Sequence, residues 1–73
     1  MDDYYFRVKG DSLEPLILPP GKTLQIPKGG HVAERSLEHN GASLQLTFVG
    51  TEPISEAKLD RLVDQAMDHI DNA

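Results

Sequence analysis

Apolar residues near the C-terminal end recur at intervals of three and four: Leu59, Leu62, Val63, Ala66, Met67 and Ile70. At about 100° per residue they fill one contiguous arc, and the spacing predicts an amphipathic helix over residues 56–70. Ser55 stands where its hydroxyl can accept from an orphan amide of the first turn. Ile54 and Leu59 flank it as a hydrophobic staple would. Pro53 is excluded from a helix interior, so it marks the boundary. The capping box is incomplete, because Lys58 occupies the place of the reciprocating Glu or Gln.

Upstream, the period changes to two. Tyr4, Phe6 and Val8 alternate with Tyr5, Arg7 and Lys9, which predicts a half-buried strand over 4–9 that ends at Gly10-Asp11-Ser12. Leu13 to Pro20 is apolar but carries Pro15, Pro19 and Pro20, and it reads as an extended packed connection in which Leu16, Ile17 and Leu18 close an edge of the core. A short strand is expected over 23–27 with Leu24 and Ile26 inward, followed by a turn at Pro27-Lys28-Gly29-Gly30. Asn40-Gly41 between two strand-like runs is the strongest hairpin signal in the chain. With those two residues as the loop, strands over 32–38 and 43–49 place Leu37 opposite Leu44, Arg35 opposite Leu46 and Ala33 opposite Phe48. Arg35 is the polar exception, expected to lay its stem along the sheet and keep its head at the edge. The sum is an α+β domain in ββββα order. It is a small antiparallel sheet of three to four strands with the C-terminal helix packed on one face.

The polar side of the helix is sorted by charge. Glu56, Asp60, Asp64, Asp68 and Asp71 fall on one flank, and Lys58, Arg61, Gln65 and His69 on the other. Stacking Asp60, Asp64 and Asp68 one turn apart costs roughly 0.2–0.5 kcal/mol per neighbouring pair. A solvated face accounts for such a run; the sharper reading makes Asp60, Asp64, Asp68 and Asp71 an interaction surface for a basic partner. The unlike flanks also suggest a two-fold pairing of helices.

Composition narrows the function classes. A chain of 73 residues makes one domain, 1–73, and with 38% apolar residues and no Trp its core is thin. Cys is absent, which removes disulfides, thiolate metal sites and cysteine nucleophiles. A small domain without such staples suits a reducing compartment, or one stabilised by self-association. The net charge of −5 and the scattered Lys and Arg argue against a nucleic-acid backbone as partner. The N-terminal Met-Asp-Asp-Tyr-Tyr does not read as a secretory signal, and no window approaches the ~20 apolar residues of a membrane span, so a cytoplasmic protein is expected.

One stretch carries a possible chemistry. Tyr5 to Ile26 contains Val8, Gly10, Asp11, Ser12 and Pro15 in an order that resembles the nucleophile region of the LexA-repressor and signal-peptidase family of serine–lysine peptidases. Leu13 stands in place of the family's Met, and Gly21-Lys22 in place of its Gly-Asp. The resemblance implies Ser12 as nucleophile and a lysine base on a later strand. Here the 43–49 run has no lysine, Lys22 and Lys28 lie too near Ser12 in sequence, and Lys58 belongs to the helix. Gly-Asp-Ser is also an ordinary turn composition. His31, His39 and His69 have no ligand spacing, His39 is expected in solvent at the hairpin end, and His69 complements the negative end of the helix. The reading is therefore a non-enzymatic protein-interaction or accessory module, possible as a homodimer, with no catalytic, cofactor or metal residues. The alternatives are a remnant or mimic of the serine–lysine nucleophile region, and an acidic surface that binds a basic protein.

Overall fold

Two two-residue turns organise the sheet. In the computed structural model, which describes residues 2–72, strand β1 (Asp2–Lys9) turns into β2 (Ser12–Leu16) through Gly10 and Asp11. Gly10 has φ +59° and Asp11 has no positive φ, the pattern of a II′ hairpin turn. Strand β3 (His31–His39) turns into β4 (Ala42–Gly50) through Asn40 and Gly41, with φ +53° and +80°. That is the I′ pattern the Asn-Gly pair calls for. The expected register holds, with Leu37 opposite Leu44, Arg35 opposite Leu46 and Ala33 opposite Phe48.

The sheet has four strands in the order β2-β1-β4-β3, with a single C-terminal helix, α1 (Glu56–Asp71). The expected α+β architecture stands, but one seam differs from an all-antiparallel sheet. β1 and β4 run parallel, with Phe6 beside Phe48 and their rings stacked 5.7 Å apart. Each hairpin places its more apolar strand at the centre, so the two best-buried strands meet beneath the helix. The second strand is also not where proline counting puts it. Residues 23–27 form no strand, and Ser12–Leu16 pairs with β1 instead. In a two-residue hairpin the flanking pair, here Lys9 and Ser12, is hydrogen-bonded and the pairs alternate from there. Pro15 therefore falls where its missing N–H would point outward from an edge strand, a place that tolerates proline. The gain is an apolar pairing of Val8 with Leu13 and Phe6 with Pro15.

The connection 17–30 carries turns closed by Lys22 N–H to Pro19 O (3.1 Å) and Gly30 N–H to Pro27 O (2.8 Å). Leu18 and Leu24 are half-buried there, as is Leu16 at the end of β2, whereas Ile17 is 92% exposed and Ile26 is also exposed. Ile17 thus closes no edge of the core and Ile26 does not point inward, because neither belongs to a paired strand that would orient it.

The helix begins as its sequence predicts. Ser55 accepts from the Lys58 amide at 3.2 Å, and its own carbonyl accepts from Leu59 at 2.8 Å. Leu59, Leu62 and Ala66 are buried against Phe6, Leu46 and Phe48, while Ile54, Val63, Met67 and Ile70 close the margins. Each large side chain buried here contributes about 1.5–3 kcal/mol. Among the described residues, no helix is long and apolar enough to cross a membrane.

Candidate functional site

Strand position decides which backbone groups are spoken for. The two-residue loop makes His39 and Ala42 a hydrogen-bonded pair, so the odd-numbered residues of β3 direct their N–H and C=O groups to β4. The groups of Val32, Glu34, Ser36 and Glu38 then point away from the sheet. Among the described residues, no backbone or side-chain hydrogen bond reaches those four amides. The opposite edge, β2, is only five residues long and lacks a donor at Pro15. Natural edges are commonly blunted by short strands and prolines. Here β2 is blunted, and β3, nine residues long with neither proline nor glycine, is open at full length.

The acidic flank of the helix reaches this open strand through ion pairs. Arg35, with its side chain 35% exposed, crosses from β3 to Glu56 Oε2 (3.5 Å) and Asp60 Oδ1 (3.3 Å). His39 Nε2 lies 2.8 Å from Asp71 Oδ1 and 3.3 Å from Asn40 Nδ2, so His39 is half-buried and not the solvent-exposed residue expected. Asp64 lies between Asp60 and Asp71 on the same flank and has no ion pair among the described residues. The other flank leans toward the first hairpin, where the Gln65 side-chain amide donates to Asp11 O at 2.7 Å. The four acids of the sequence-derived surface are accordingly divided. Asp60 and Asp71 pair with β3, Asp64 is free at the crest, and Asp68 lies at the rim of a separate groove. That groove, about 630 Å³, has Tyr4, Phe6, Pro15 and Ile70 at its floor, and His69 stands over Phe6 with ring centres 5.9 Å apart.

The charge of the chain has a location. Glu34 and Glu38 flank β3 on the face away from the helix, and on the other face Glu56, Asp60 and Asp71 reach its side chains, with Asp64 on the same helix flank. Arg35 is the sole Lys or Arg among them. These six acids and Arg35 carry a formal charge of −5 between them, equal to the net charge of the whole chain.

Ser12 has a local role. It opens β2, and its hydroxyl donates to the Lys9 carbonyl at 3.0 Å across the turn. The Lys9 ammonium is held by Glu14 at 2.8 Å, with Arg7 3.8 Å from the same carboxylate. The Lys9 hydrogen bond, then its charge, holds the Glu14 carboxyl below its ordinary range. Among the described residues, no lysine amine hydrogen-bonds Ser12, and no three His, Asp or Glu side chains converge on a metal position. The chain was compared with protein-family models, curated proteins and solved structures, and none matches it.

Proposed function

We propose that this chain is a non-enzymatic interaction module that engages a protein partner along the open edge of β3. The observation that carries the reading is the asymmetry of the two edges. β2 is short and interrupted by Pro15, while β3 leaves Val32, Glu34, Ser36 and Glu38 with unpaired backbone groups. Strand addition to such an edge is a recurring mode of peptide recognition, in which the main chain supplies affinity.

Self-association is the less favoured form of this reading. A second copy paired antiparallel on β3 would place both helices on the same face, with acidic flank against acidic flank, and like charges facing each other disfavour association. The basic flank cannot offset this, because it leans toward the first hairpin.

The test uses one residue. Ser36→Pro removes an outward N–H and the hydroxyl bond to Gln45 while leaving every backbone bond to β4, and Ser36→Ala loses the same hydroxyl bond but keeps that N–H. Immobilised native, S36A and S36P domains are exposed to extract of the native cell. Proteins held by the native and S36A forms are expected to be lost from S36P. Equal retention by all three forms, or by none, overturns the reading.

A further inference from the structure

We infer that the partner segment is an extended, basic strand, selected by the acid on both sides of β3; this rests on the proposed β3 reading and names its ligand class. Four residues of β3 present unmatched N–H and C=O groups in register, and only another extended backbone satisfies donors and acceptors at that repeat. A helix has no spare main-chain groups, so it could meet this edge only through side chains.

Charge then selects among extended segments. A strand added beside β3 projects alternate side chains to the two faces. Those on the helix side face the flank that carries Asp60 and Asp64, where the guanidinium that reaches across from β3, Arg35, is already shared between Glu56 and Asp60. Those on the other side lie across from Glu34 and Glu38, which have no ion pair among the described residues. Lys or Arg is therefore favoured on either face, and an acidic strand is opposed on both. With six acids and one arginine on and beside β3, the field also steers a basic segment to the edge before contact. A second copy of β3 brings Glu34, Glu38 and the same helix-flank acids, and fits less well.

The probe is a capped peptide of alternating lysine and valine, matched in length to β3. It is titrated into the whole domain while backbone amide resonances and hydrogen exchange are followed. Two control peptides are used: one N-methylated at every residue, which keeps charge but has no N–H on either edge with which to pair as a strand, and one with glutamate in place of lysine. The expected result is shifted resonances along β3 and slowed exchange at Val32, Glu34, Ser36 and Glu38. Neither control should bind. Affinity should fall at least about fivefold in a Glu34→Gln, Glu38→Gln, Asp64→Asn variant, and similarly on going from 0.01 to 0.15 M salt, as the screening length drops from about 30 to about 8 Å.

Several outcomes overturn the inference: binding of the N-methylated peptide as tightly as its parent, binding of the glutamate peptide, resonance shifts confined to other strands, or no binding of the lysine peptide. A chain that light scattering shows to be a dimer with those four amides already protected also overturns it, because the edge is then filled by a second copy. Failure of the lysine peptide while S36P still loses its retained proteins leaves the β3 reading standing and removes only the basic ligand.

Discussion

Arg35 is the side chain on which sheet and helix are tied at their polar margin. It occupies a core-facing register position opposite Leu46, yet its guanidinium reaches Glu56 and Asp60 one turn apart on α1. Pairs this exposed contribute about 0.2–1 kcal/mol each, and the buried stem adds packing. Arg35→Met keeps the stem and removes the pairs. It is expected to destabilise by on the order of 1 kcal/mol, read as a lower urea midpoint with an unchanged slope. A much larger loss would mean that the guanidinium does more than bridge two carboxylates. The position was readable as a misfit on the apolar face of its strand. What it would meet was not, because Glu56 and Asp60 lie more than twenty residues away and are brought to it only by the angle of the helix.

Elements show why local reading succeeds in one hairpin and fails in the other. Asn40-Gly41 dictates a turn of known geometry, and the alternation on both sides then sets every pair from His39–Ala42 outward. Around Pro15 the same reasoning excludes a strand, since a central position would lose a ladder bond. Whether Pro15 is central or at an edge depends on what lies beyond it, and nothing local encodes that. Residues 23–27 have the converse problem, a strand-like composition with no strand left to pair with. Amide exchange separates the two segments. Thr23 to Ile26 should exchange within the fast loop population, whereas Leu46 to Val49 should exchange only on global opening. Slow exchange over 23–26 would contradict the topology.

The helix face itself was legible down to its cap, because one periodic run and one Ser-flanked boundary define it. Leu62 is fully covered between helix and sheet. Leu62→Ala is expected to cost about 2–5 kcal/mol. A domain of this length has roughly 4–11 kcal/mol of total stability at the usual per-residue value. The variant should therefore show a large fall in thermal midpoint, approaching unfolding at ambient temperature. A loss below about 1 kcal/mol would place Leu62 outside a packed core.

At the scale of the whole molecule, the acidic flank was visible in sequence but its address was not. A helical projection sorts Asp60, Asp64 and Asp71 onto one side without saying what lies beneath. Only the strand order, which puts β3 at an edge, and the Arg35 and His39 contacts, which tie the acidic flank of α1 to it, turn a stripe of acid into the surroundings of an open strand. Asp68, one turn beyond Asp64, is carried round to the groove instead. The candidate surface therefore gains Glu34 and Glu38 from a different element and loses one member of the original four.

The parallel seam between β1 and β4 has a consequence for how the fold is reached. Each hairpin closes through its own two-residue turn, an event of about 1–10 μs. The seam joins Phe6 to Phe48 across most of the chain, and such distant contacts repay their loop-closure entropy only after long stretches have been ordered. The seam is thus the kinetic bottleneck. Until it closes, the inner edges of both hairpins are as bare as β3 remains afterwards, so the interval before closure is when this chain is most exposed to unwanted strand pairing.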